Sequence, residues 1–360
     1  MKFSKFKWLF VLIMGSLLLT ACTAVTASSW PGVTLSTDGK FVYAAYQAGV
    51  FKVDATNGNM AWRYPDPADN AKQFYAAPAV SDSLVVVGDY QNVLIGLDPA
   101  TKAEKWTFTE SKDKFLAGAL IVGNTVLAPS ADGILYALNM TNGKTIWKFP
   151  ASASSYWGSP VSDGKLVYLP SMDHFLYAIN LEDGSLKWKT DLKAAGVYGV
   201  TLASDGNVYL STLGNQVLAI NAAEGNILWQ FATTGSPWAI PVYKDGVVYV
   251  GDLSNKAYAI SSSDGKQVWQ VDVPGPIASS PAITSKGLIF ASETGDVFEL
   301  SFSGQQNWDQ KLSGNNGKLY SAPVVAGDLV VVGVTAGDNN LLLVSYDFSG
   351  AQKWTFSVPK

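Results

Sequence analysis

The stretch Ala137-Leu138-Asn139-Met140-Thr141-Asn142-Gly143-Lys144-Thr145-Ile146-Trp147 decides the fold of this chain. Its apolar start reads as the end of a β-strand. Asn139 then opens a turn, Gly143 supplies the positive φ that closes it, and Thr145-Ile146-Trp147 resumes an extended strand. The unit recurs along the chain. Trp62, Trp106, Trp147, Trp188, Trp229, Trp269, Trp308 and Trp354 are separated by 44, 41, 41, 41, 40, 39 and 46 residues. Seven of them follow a glycine by four residues (Gly58, Gly143, Gly184, Gly225, Gly265, Gly304 and Gly350), and Lys102 is the exception. Eight residues before the tryptophan stands Asp54, Asp98, Asn139, Asn180, Asn221 or Ser261. In the last two units a shortened turn puts Ser301 or Asp347 seven before.

Working outward, each turn is preceded by another apolar hairpin, such as Leu135-Tyr136-Ala137-Leu138 after Val126-Leu127-Ala128-Pro129. Before each hairpin lies a run of small residues that reads as a short fourth strand: Ala76-Ala77-Pro78-Ala79, Gly158-Ser159-Pro160-Val161, Ser279-Ser280-Pro281-Ala282 and Ser321-Ala322-Pro323-Val324. Four strands in about 41 residues make one blade of a β-propeller. Eight of them consume residues 29–360, so an all-β, single eight-bladed propeller of four-stranded antiparallel blades is expected, with no second domain. Packed radially, such blades bury both faces of every sheet, which confines charge to turns. Charged residues are accordingly only 15% of the chain. The eight spaced tryptophans are expected to be structural, filling the gaps between blades, where each ring buries on the order of 200 Å².

The first thirty residues read differently. Lys2, Lys5 and Lys7 precede an apolar stretch over 8–19, the pattern of a secretory signal and too short for an ordinary membrane span. It ends in Leu19-Thr20-Ala21-Cys22, which has the form of a bacterial lipoprotein signal, and Cys22 is the only cysteine in the chain. Residues 1–21 are therefore expected to be a lipoprotein signal peptide, Cys22 the lipidated residue and 22–28 a tether. Loss of three signal lysines leaves 22 basic against 29 acidic residues, a net charge of −7. No basic face remains for nucleic acid, and membrane attachment would be through the lipid anchor alone. The expected location is the cell envelope, extracytoplasmic, at the outer membrane or the outer face of the cytoplasmic membrane.

With the unit laid out, residues 137–147 resemble the A-x-D-x-x-T-G-x-x-x-W signature of the pyrroloquinoline quinone (PQQ) repeat family, and 178–188, 219–229 and 259–269 carry variants of it. Eight such blades behind a lipoprotein signal resemble the BamB-type members, whose propeller is a non-catalytic binding scaffold for outer-membrane protein assembly. The resemblance implies no catalytic residues, no cofactor and no metal, and partners among envelope proteins or extended peptides bound by a monomeric ring. The wider family also contains PQQ-dependent dehydrogenases with calcium over the central funnel, so a quinoprotein-like enzyme is one alternative. A propeller that senses a sugar or another small ligand is the other.

Three places are candidates for chemistry. Asp66-Pro67-Ala68-Asp69-Asn70 fills the extra length of the 44-residue interval and reads as a solvated loop rather than a calcium cluster. His174, the sole histidine, aligns with Gly133 at a hairpin tip, where Asn255 and Asp296 are taken as its counterparts, and reads as a turn residue. The third place is a set of aromatics just before the inner strands: Tyr75, Trp157, Tyr198, Trp238 and Tyr320, with Leu116 and Ala278 in two other blades. Equivalent positions in a propeller form a ring, so these five should encircle one mouth of the central channel. Two readings stay open: rings packed together to seal the channel, or a rim that binds an extended peptide or flat ligand.

Overall fold

The structure is a computed structural model that describes residues 31–150, 154–196, 198–312, 317–335 and 338–359; the expected signal, Cys22 and the tether lie outside them. The first sheet comprises β1 (Gly32–Leu35), β2 (Phe41–Tyr46), β3 (Gly49–Asp54) and β4 (Met60–Tyr64), antiparallel and in chain order. Seven further sheets repeat this order over 79–108, 120–150, 161–191, 200–232, 242–272, 282–311 and 324–357, giving an eight-bladed all-β propeller. The 3-10 turn Asp338–Asn340 is the only helical element among the described residues.

Burial grades outward along each blade. The second and third strands are apolar without alternation because both faces meet neighbouring blades; Tyr43, Tyr136, Leu176 and Tyr209 are fully buried. The fourth strand alternates between exposed and buried positions, as Thr145–Pro150 does, because it forms the outer edge. First strands approach the first strands of adjacent blades, which places them on the axis. The hydrophobic core divides into eight clusters, each shared by two adjacent blades. One of them joins blade 8 to blade 1 through Val42, Phe51, Leu342, Leu343, Trp354 and Phe356.

The repeated tryptophan is a staple between blades. Each indole reaches the Asx turn of the following blade, where its N–H donates to a carbonyl: Trp62 to Pro99 (3.1 Å), Trp106 to Met140 (2.9 Å), Trp147 to Leu181 (3.0 Å), Trp188 to Ala222 (3.1 Å). Trp229 to Ser262 (2.7 Å), Trp269 to Phe302 (2.9 Å) and Trp354 to Ala55 (3.0 Å) continue the series across the closure of the ring. Trp308 departs from it, its buried Nε1 having no partner. The turn glycine lies against the same ring: a Cβ on Gly184, whose φ is +74°, would sit 2.6 Å from Trp147 Cε3. Glycine at this position thus serves both the left-handed backbone and the close approach of the indole.

Three details differ from the sequence reading. The small-residue runs precede the innermost strands instead of forming them: the strand of blade 2 is only Ala79–Val80, and that of blade 4 only Val161–Ser162. Pro78 and Pro160 have no N–H to give a ladder, so pairing starts after them. The counterpart of His174 in blade 7 is Gly295, not Asp296. His174, Gly133, Asn255 and Gly295 all hold positive φ, whereas Asp296 begins the next strand and accepts a hydrogen bond from Ser292 Oγ at 2.8 Å. Charge is also not confined to turns. Lys52 and Glu299 lie opposite Trp62 and Trp308 on third strands, where Ala137, Ala178, Ala219 and Ala259 stand in other blades.

Candidate functional site

The five aromatics of the inner ring come together at one mouth of the channel. Tyr75, Trp157, Tyr198, Trp238 and Tyr320 all line a cavity of about 360 Å³, with Leu116 and Ala278 between them. Its walls are the small-residue runs, including Ala76, Ala77, Ser159, Ala239, Ser279 and Ser321. Side chains this short leave the axis open, whereas larger ones would fill it. The runs also tie adjacent blades at the axis. Ser159 N donates to Tyr198 O (3.2 Å), Thr201 Oγ1 to Pro241 O (2.5 Å), Ile240 N to Ser280 Oγ (3.0 Å), and Ser321 Oγ to Pro31 O.

The aromatics neither stack into a plug nor stand apart. Tyr198 and Trp238 lie 5.7 Å apart and tilted, and Tyr75 meets Tyr90 edge-on at 4.7 Å. Tyr75 is buried and donates its hydroxyl to Gln73 Oε1 at 2.9 Å, while Trp157 is 47% exposed. The mouth therefore has a sealed side at Tyr75 and an open one at Trp157. Among the described residues, none that lines it is charged. Lys114 and Lys318 stand back from it, with ammonium groups 5.8 Å from the Tyr90 ring centroid and 5.9 Å from that of Tyr320. Burial, followed by the charge of Glu293, pushes the Tyr198 phenol well above its ordinary range, and burial also raises that of Tyr75. Both stay protonated at neutral pH. Ser279 Oγ is buried in the wall without a hydrogen-bond partner.

Tyr90 belongs to the mouth but falls outside the sequence reading, because it sits on the hairpin turn after the second strand of blade 2 and not on the repeated position. The other two candidates stay apart from the mouth. Asp66 pairs with Lys102 Nζ at 2.6 Å, and Asp69 caps its own loop through Ala71 N at 3.0 Å. His174 holds a hairpin tip, its carbonyl accepting from Leu192 N at 2.8 Å. Among the described residues, no three His, Cys, Asp or Glu side chains are grouped so as to hold a metal ion.

Against this geometry, the family model described as outer membrane protein assembly factor BamB matches residues 21–155, 131–240 and 233–360, nearly the whole chain. The chain belongs to the BamB family. No curated protein matches its sequence. Among solved structures, BamB from Moraxella catarrhalis superposes with a TM-score of 0.73 at 17% identity, covering 88% of this chain and 96% of that one. The computationally designed Ika8 protein gives 0.73 at 14% identity, covering 89% and 97%. Identities this low establish the propeller alone.

The quinone and calcium of PQQ-repeat dehydrogenases do not suit the mouth of this BamB-family ring. Calcium takes six to eight oxygens, largely carboxylates, and a quinone tricarboxylate calls for cations at hydrogen-bond range. The described residues of the lining supply tyrosine and serine hydroxyls, indoles and methyl groups, with no carboxylate and no ammonium among them.

Proposed function

We propose that this BamB-family propeller is a non-catalytic, lipid-anchored scaffold of the cell envelope that holds other proteins during outer-membrane protein assembly. The observation that carries this reading is the family match, which begins at residue 21, beside Cys22, and continues through all eight blades. The mouth supports the non-catalytic part of the reading, since its described lining carries no carboxylate or ammonium to hold calcium or the quinone. The outer fourth strands offer a surface for protein contact, since their unpaired edges are open to added strands.

Two experiments test the reading. Metabolic labelling with palmitate marks the protein, and Cys22→Ala abolishes the label; a Cys22→Ala chain that stays labelled refutes the anchor. Chemical cross-linking in intact envelopes, followed by purification, recovers outer-membrane barrel-assembly proteins, and deletion lowers the abundance of outer-membrane barrels. Unchanged barrels and no such recovery would remove the assembly role. A quinoprotein-like dehydrogenase predicts a spectral shift with PQQ and Ca²⁺, and none is expected from this lining.

A further inference from the structure

The described chain enters the ring at the aromatic mouth. Pro31 and Gly32 line the cavity, and Gly32 opens β1, the innermost strand of blade 1. Cys22 stands nine residues before Pro31. Nine residues reach at most ~30 Å when extended. A blade of four strands is about 14 Å wide from first to last strand, and its six-residue strands stand about 20 Å tall. An anchor at Cys22 is therefore held within ~30 Å of the mouth, where the described chain begins.

The chemistry of the mouth matches that placement. Tryptophan and tyrosine favour the layer between hydrocarbon and water, where the ring is buried and its polar edge stays wet. Here such rings surround a charge-free opening with Trp157 half exposed, and Lys114 and Lys318 stand behind them with stems long enough to reach headgroups. Net charge argues for contact of this kind over electrostatic adhesion, since a mature charge of −7 is repelled by anionic lipid.

We propose that the aromatic mouth is the membrane-facing side of the propeller and rests on the headgroup layer of the bilayer that holds the Cys22 lipid. The proposal rests on the lipoprotein reading above. It leaves the opposite face and the blade edges as the surfaces that meet proteins.

The test uses the cell-matured protein in vesicles of phosphatidylethanolamine and phosphatidylglycerol with brominated acyl chains. The protein is held by its own lipid or, where Cys22 proves unmodified, by coupling that single thiol to a maleimide headgroup lipid. Bromolipid is expected to quench tryptophan emission, by the same amount in 0.5 M NaCl. Trp157→Phe with Trp238→Phe is expected to remove at least half of the quenching while leaving the circular-dichroism melt nearly unchanged. Trp157→Phe alone, at the exposed ring, removes a smaller share and checks that folding is intact. Absence of quenching, quenching retained in the double variant, or quenching abolished by salt overturns the proposal. So does a photo-crosslinker at position 157 that captures a polypeptide in place of lipid. Failure of the lipoprotein reading is seen separately, as an unacylated Cys22 by mass spectrometry.

Discussion

Gly184 and Gly164 separate two costs that are usually tangled. Both hold left-handed backbone, with φ of +74° and +87°, but a Cβ on Gly184 would press on the Trp147 ring at 2.6 Å, while one on Gly164 meets nothing within 4 Å. Alanine at either site carries the conformational cost of about 1–2 kcal/mol. Gly184→Ala adds an overpacking cost of about 1–3 kcal/mol. Urea unfolding should therefore show Gly184→Ala as the less stable by about that second amount, and equal losses would mean that the indole contact contributes nothing. Gly184 is legible in the sequence because seven of the eight units carry a glycine at its position. Tyr90, Lys52 and Glu299 are not, because each occurs once, where the repeat has some other residue. Glu299, 1% exposed, is tolerated because Asn307 Nδ2 donates to it at 2.8 Å. Lys52 is tolerated because its ammonium donates to Pro99 O at 2.9 Å and lies 4.0 Å from the Phe41 ring centroid. Burial lowers its pKa against the pull of Asp38 and Asp98.

At the scale of the element, the fourth strand and the turn it reaches form one unit that crosses the boundary between blades. Seven such units close with an indole hydrogen bond, and the unit of Trp308 does not. The turn Trp308 faces is short, Gly350 N bonding to Asp347 O three residues back, but turn length is not the cause, since the equally short Ser301–Gly304 turn still accepts the Trp269 N–H through Phe302 O. Trp229→Phe removes both ring area and a satisfied donor, whereas Trp308→Phe removes similar area and relieves a buried donor with no acceptor. A net hydrogen bond is worth about 0.5–1.5 kcal/mol. Trp229→Phe should therefore cost more than Trp308→Phe by at least that margin in denaturant melts, and the reverse order would assign the staple to ring packing alone. The spacing of the tryptophans foretells the element but not which carbonyl each one reaches. That depends on the radial offset of adjacent blades, which a one-dimensional repeat does not encode. The short inner strands elude the sequence for a related reason, since small residues near the axis read as strand until their prolines are seen to interrupt the ladder.

The whole ring is closed by side chains. Each sheet is built from four consecutive strands, so no strand crosses from one end of the described chain to the other. Blade 8 holds blade 1 through Trp354 on Ala55 O and Gly58, the Phe51–Phe356 contact at 5.7 Å, and Ser321 Oγ on Pro31 O. Trp354→Ala should cost about 3–5 kcal/mol and open this seam, since no linker restrains it as linkers restrain the other seven junctions. The Asx turns of blades 1, 2 and 8 open on a carboxylate. Hydrogen bonds from Ser349 hold the Asp347 carboxyl down at about 2, those from Thr101 do the same for Asp98, and those from Thr56 lower Asp54. Asn139 and Asn221 make the same turns in blades 3 and 5 without a proton to gain, Asn139 Oδ1 accepting from Thr141 N at 2.9 Å, whereas the Asn180 turn of blade 4 holds Asp183, whose carboxyl pKa Ser185 lowers. Because the folded carboxyls titrate below their unfolded value near 4, the stability they contribute is full above that pH and is lost as pH falls through about 2. Acid should therefore loosen the Asx turns of blades 1, 2 and 8 before those of blades 3 and 5. Hydrogen exchange between pH 4 and 2 checks this: amides of the turns at 54–59, 98–103 and 347–351 should lose protection before those at 139–144 and 221–226, and Asp54→Asn with Asp347→Asn should move the loss in the first and last to lower pH. Protection lost evenly among these turns, or unchanged by the paired asparagines, would place the acid-sensitive step outside them.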